Sequence, residues 1–200
     1  MELEFKWSTP DSGTYIEMLT SYQLPPVEKQ EHIRMEARYY DTPDGMVNRL
    51  HGGLRLRTEG DQTVCCLKLA ATSSFGGALK SREEYECAAP DIETGLRRLP
   101  QQTDAPADIC EALCSAGLVE LGRTTFTRQV TTLNTGECTV ELSFDCGLIT
   151  RGERHAPICE IELEYKSGSV EAFEALGNKA QETFHLKPEP QSKLARLLHL

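Results

Sequence analysis

The strictest constraint on how this chain folds is an alternation that recurs from one end to the other. Residues 2–6 read Glu2-Leu3-Glu4-Phe5-Lys6, charged and apolar by turns. Successive side chains of a β-strand point to opposite faces, so Glu2, Glu4 and Lys6 share one face and Leu3 and Phe5 the other. Near the other end, Glu160-Ile161-Glu162-Leu163-Glu164 repeats the pattern. Between them, Leu54-Arg55-Leu56-Arg57, Cys66-Leu67-Lys68-Leu69, Arg82-Glu83-Glu84-Tyr85-Glu86 and Glu141-Leu142-Ser143-Phe144-Asp145 run as dense charged stretches of strand-like pattern. Arg128 shares a face with Phe126 and Val130, and Arg151 has the parity of Asp145 if that strand runs far enough.

Eight strand-like segments result, at 1–7, 34–40, 53–58, 62–70, 82–87, 120–133, 138–147 and 158–165. Turn signals separate them, including Asp41-Thr42-Pro43-Asp44-Gly45 and a Ser/Gly-rich loop over 72–77. Helical spacing predicts helices over 8–22, 90–99, 106–116 and 170–184, and a short last one after Pro190. The first would carry Tyr15, Ile16, Leu19 and Tyr22 as its apolar stripe.

An antiparallel sheet with one wet face gives the same alternation. The set as a whole points elsewhere. The helices need an apolar sheet surface to pack on, and if they cover the outside, the charged faces point inward. An α+β fold follows: an eight-stranded antiparallel closed β-barrel with a charged lumen. Buried like charges are costly unless neutralised. Carboxylates of this kind suit Mg²⁺ or Mn²⁺, and arginine and lysine suit phosphate oxygens.

The chain has 200 residues, enough for one domain over 1–200 with a substantial core. No apolar run approaches the ~20 residues of a membrane span. No signal peptide opens it, and the expected location is the cytoplasm. A net charge of −10 argues against broad nucleic-acid binding. The eight cysteines include no CxxC pair and read as reduced packing residues. The five histidines, among them His51, show no ligand spacing and read as surface or packing residues.

Glu2-x-Glu4-x-Lys6 resembles the ExExK signature of the CYTH superfamily, the triphosphate tunnel metalloenzymes. The resemblance continues in order through Tyr39-Tyr40-Asp41-Thr42-Pro43, Leu54-Arg55-Leu56-Arg57, Leu67-Lys68, the 82–86 run, Thr127-Arg128, Glu141 to Gly147, Glu160 to Gly168, and Ser192-Lys193. It implies a tunnel that binds a small-molecule triphosphate with Mg²⁺ or Mn²⁺, with the last helix plugging one mouth. Glu2, Glu4, Glu84, Asp145, Glu160 and Glu162 would face the metals, with Glu84 alternatively orienting the attacking water. Lys6, Arg55, Arg57, Lys68, Arg128 and Lys193 would hold phosphate oxygens, with Arg82 and Arg151 as additions. Glu4 and Lys6 are the expected catalytic residues. Hydrolysis of inorganic tripolyphosphate is the leading expectation. ATP and thiamine triphosphate are alternative substrates, and an adenylate cyclase or a noncatalytic polyphosphate-binding module are alternative functions. The oligomeric state is not legible.

Overall fold

The computed structural model describes residues 2–20, 27–70 and 79–200, without the side chains of residues 2, 27, 28, 70 and 79–82. The Ser/Gly-rich stretch at 72–77 lies outside that description.

Eight strands form the wall: β1 (Glu2–Ser8), β2 (Val27–Asp41), β3 (Gly53–Glu59), β4 (Gln62–Ala70), β5 (Leu79–Ala88), β6 (Val119–Asn134), β7 (Cys138–Arg151) and β8 (Arg154–Gly168). Their order is β5-β4-β3-β2-β6-β7-β8-β1, and each strand runs antiparallel to its neighbours. β1 also pairs with β5, from Glu2 opposite Arg82 to Phe5 opposite Leu79, which joins the two ends of the sheet into a ring. A two-residue strand β9 (Lys187–Pro188) adds to β1 at Trp7 and Ser8.

The period-two pattern explains which residues face which way. On β1 and β8 the apolar set Leu3, Phe5, Trp7, Ile161 and Leu163 points outward. There it packs under α1 (Gly13–Thr20) and α5 (Val170–Thr183) through Tyr15, Met18, Phe173 and Ala180. Ser169 caps α5 by accepting from Ala172 N at 3.1 Å. A second core joins Leu54, Cys65, Leu67 and Cys87 of β3–β5 to α3 (Ile92–Gln102) and α4 (Ala107–Ala116) through Leu96, Leu99, Cys110 and Leu113. Cys65, Cys87 and Cys110 do act as packing residues here, and burial raises all three thiols, Cys110 to about 11.

The third core lies inside the ring. α6 (Lys193–Leu198) enters one mouth, and Leu197, fully buried, packs with Met35, Phe126, Ile149 and Ile158. Ser192 caps it, accepting from Ala195 N at 3.0 Å.

Several expectations need correction. α1 starts at Gly13 because Thr9 N donates to Cys159 O at 3.2 Å, which holds Thr9 beside the sheet, and residues 10–12 then bend, with Gly13 N donating to Asp11 Oδ1 at 2.7 Å. Ile16 is 54% exposed and does not belong to the buried stripe. β2 begins at Val27 rather than 34, paired with β6 throughout. A one-turn helix α2 (Met46–Arg49) follows the Asp41–Gly45 turn, where the Asp41 carboxylate accepts from Thr42 N, Val47 N and Asn48 N.

Among the described residues, no helix is long and apolar enough to cross a membrane.

Candidate functional site

A cavity of about 630 Å³ runs through the ring. Of the residues singled out in the sequence, Glu4, Lys6, Arg55, Arg57 and Lys68 line it, as do Glu84, Arg128, Glu162 and Lys193. Alternation along the strands puts all but Lys193 there, and α6 brings in Lys193.

The charges fall on two walls. On the β3–β5 wall, Lys68 Nζ lies 3.1 Å from Glu84 Oε2, and Arg55 Nη2 lies 3.4 Å from Glu84 Oε1 and 3.7 Å from Glu86 Oε1. Arg57 Nη2 donates to Glu86 at 3.1 Å, and its Nε lies against Glu59. Burial pushes the Glu84 carboxyl up, but Lys68 and Arg55 outweigh it and hold the group below the usual carboxylate range. The Cys66 thiol sits on the same face and donates to Glu84 Oε1 at 3.0 Å. Burial keeps that thiol well above its ordinary pKa, and Arg55 pulls the other way.

On the β6–β8 wall, Asp145 and Glu160 are fully buried, just behind the cavity surface. Arg128 donates to both oxygens of Asp145 and, at 2.5 Å, to Glu162 Oε2. Lys193 Nζ reaches Asp145 at 2.7 Å and Glu162 at 3.0 Å and lies against Glu160. Arg196 Nη1 donates to Glu160 at 2.9 Å. Burial pushes Glu162 up, but Lys193, Arg128 and Lys6 outweigh it and hold its carboxyl well below the usual range.

Not every expected residue meets these groups. Arg151 turns away to donate to Leu198 O at 2.8 Å, closing the end of α6, and it does not line the cavity. Lys6 is 3% exposed and donates to Gln191 O at 2.6 Å, tying the segment before α6 across the mouth. The side chains of Glu2 and Arg82 lie outside the description, although their backbones pair.

Sequence reasoning passed over other lining residues. Glu141 and Glu164 are cross-strand neighbours, Glu164 also faces Glu4, and Lys166 bridges Glu141 and Glu164 at 2.7 and 2.9 Å. Their parity with Asp145 and Glu160 was the available signal. His51 also lines the cavity, with Tyr39 and Phe126.

Two groups offer donor atoms within 4.8 Å of one another: Asp145, Glu160 and Glu162, and Cys66, Glu84 and Glu86. The first, all carboxylate oxygen, fits a hard divalent cation such as Mg²⁺ or Mn²⁺. Glu160 Oε1 there is buried, with the Lys193 ammonium against it. The second includes a protonated thiol and has Arg55 beside it, a poorer fit.

The CYTH domain profile matches residues 1–198. This chain belongs to the CYTH family. It is 33% identical over 147 residues to an inorganic triphosphatase of Haemophilus influenzae, covering 72% of this chain. The matched region is 39% of that relative's length. Among solved structures, a Hippeastrum adenylyl cyclase candidate, described as having a dominant triphosphatase activity, superposes with a TM-score of 0.64 at 17% identity, covering 100% of this chain and 96% of that one. A Pyrococcus horikoshii protein superposes with a TM-score of 0.58 at 16% identity, covering 100% and 99%. At these identities the structures show the CYTH tunnel fold.

Proposed function

We infer that this CYTH domain hydrolyses a triphosphate with a divalent cation, inorganic tripolyphosphate before organic triphosphates. The observation that carries this reading is the pairing of two charged walls across one cavity. Arg55, Arg57 and Lys68 present cations on one side; on the other, Glu162 lines the cavity, and Asp145 and Glu160 converge with it from just behind the surface. A polyanion alone needs the first wall; the second is what a metal-dependent reaction adds. The inorganic triphosphatase relative supports the same reading.

Phosphoryl transfer needs positioning and charge neutralisation more than covalent chemistry. Arg55 and Arg57 would hold and straighten the phosphate chain, with Lys68 as a point charge. Asp145, Glu160 and Glu162 would hold the cation, and Glu4 lies on the adjoining strand where it would orient the attacking water. The cation, when bound, supplies Lewis-acid stabilisation of charge on the phosphoryl oxygens.

A second reading, cyclisation of ATP, draws on the apolar lining of Met35, Ala37, Tyr39 and Phe126, which offers a surface for a nucleoside.

The test is orthophosphate release from tripolyphosphate, ATP and thiamine triphosphate in parallel, each with Mg²⁺, Mn²⁺ or EDTA. Metal-dependent release led by tripolyphosphate is expected. Cyclic AMP and diphosphate from ATP would favour the second reading, and tight anion binding without turnover would reduce the domain to a polyphosphate-binding module.

A further inference from the structure

We propose that Lys193 is an internal counter-ion that yields its place to a divalent cation and then turns to the phosphate chain. This rests on the metal-dependent triphosphatase reading above and assigns Lys193 two successive partners within it.

The Lys193 ammonium occupies the point where the Asp145, Glu160 and Glu162 carboxylates converge. It is within ion-pair distance of all three, and those are the three residues whose oxygens lie close enough together to share one cation. A lysine and a divalent cation cannot both sit there, because like charges in contact repel strongly in a water-poor site. Occupation by one excludes the other.

The charge count shows what the exchange does. Three carboxylates, Asp145, Glu160 and Glu162, meet three cations, Arg128, Lys193 and Arg196. Within these ion pairs the charges balance without metal, and Lys6 is a further cation near Glu162, which explains how the fold tolerates the carboxylates buried. A divalent cation in the ammonium's place releases a full positive charge into the cavity that Lys193 lines. That charge then faces the lumen opposite Arg55 and Lys68, where a triphosphate would lie.

Arg128 and Arg196 are built for the opposite role. Arg128 is fixed by both Nε and Nη2 on Asp145 and by Nη2 on Glu162. Arg196 holds Glu160 and also donates to Pro157 O. Lys193 is a point charge on a flexible stem, at the first residue of α6. Its side chain can swing while the helix stays seated, because Leu197 is buried in the barrel and Arg151 holds Leu198 O. The Phe126 ring, 5.0 Å from the ammonium, gives it a cation–π surface along the way.

The test has two parts, neither of them an activity of the loaded enzyme. First, Mn²⁺ binding is measured by titration calorimetry without any phosphate, for the wild type and for Lys193→Met. With the competing ammonium gone, the variant should bind about tenfold tighter or more. Second, for the case in which that variant does not fold, Lys193 of the wild type is labelled with acetic anhydride and quantified by peptide mass spectrometry. Labelling should rise severalfold with Mn²⁺ and fall again when tripolyphosphate is added. Equal or weaker Mn²⁺ binding in a folded variant, or Lys193 labelling indifferent to Mn²⁺, overturns the proposal, as does the absence of Mn²⁺ binding in both proteins. A wild type that still releases orthophosphate with metal in that event leaves the triphosphatase reading standing. A wild type that binds Mn²⁺ and shows the exchange yet turns over no triphosphate removes that reading alone.

Discussion

Arg128 and Asp145 face each other across β6 and β7, joined by two hydrogen bonds of 2.7 Å, Nε to Oδ1 and Nη2 to Oδ2. Asp145 is fully buried and is shared with Lys193. Removing one member of a buried pair leaves the other charge uncompensated, which costs more than the pair itself contributes. Asp145→Ala in metal-free protein should therefore lower stability by about 3 kcal/mol, read from urea unfolding. A loss below about 1 kcal/mol would place the cluster among weak, solvent-screened pairs.

The lumen was legible in the sequence because alternation is a local signal. Glu4 with Lys6, Arg55 with Arg57, and Glu162 with its apolar neighbours each declare a charged face, and the need to cover the apolar face turns the charges inward. The partners were not legible. The sequence places Lys193 on a terminal helix, but its three carboxylates are contributed by strands far away in the chain, and only the registers bring them together. Arg151 shows the converse: its parity was right, but the strand carries it past the charged zone to the end of α6. The first half of β2 was missed because Glu28 to His32 lack an apolar alternation, and pairing with β6 alone makes that stretch a strand.

The depressed Glu162 carboxyl makes stability depend on pH. Burial raises it and Lys193 and Arg128 lower it further, so its folded pKa lies below the unfolded value of about 4.3. Such a group contributes stability that is present above the unfolded pKa and lost as pH falls through the folded one. In EDTA, the wild type should lose stability below about pH 4.3 more steeply than Glu162→Gln, which has no such proton to take up. Parallel curves for the two proteins from pH 6 to 3 would contradict the assignment.

Gly177 of α5 has no room for a side chain. A Cβ there would lie 2.2–2.6 Å from the Phe5 ring. That ring is 3% exposed, stacks on Trp7 at 5.5 Å and meets Phe173 edge-on at 5.4 Å, so it cannot turn aside. Alanine normally gains about 1 kcal/mol over glycine within a helix. Overpacking costs about 1–3 kcal/mol and should prevail, giving Gly177→Ala a lower melting temperature. An unchanged or raised melting temperature would mean that α5 shifts freely on the sheet.

Arg55 is the cation best placed to take a new partner. Its contacts to Glu84 and Glu86 are long, 3.4 and 3.7 Å, and its Nε is buried without a hydrogen bond. A guanidinium in that state has most of its fork to offer to phosphate oxygens. A hydrogen bond to a charged group contributes about 1.5–3 kcal/mol, so Arg55→Gln should lower kcat/KM for tripolyphosphate by about 10–100-fold. Arg97→Gln is the control, since Arg97 pairs only loosely with Glu93 at 3.6 Å on the exposed face of α3. Both variants are assayed at saturating metal, with melting curves to show that the barrel is intact. Equal kcat/KM in a folded Arg55→Gln would move the phosphate chain off the β3–β5 wall.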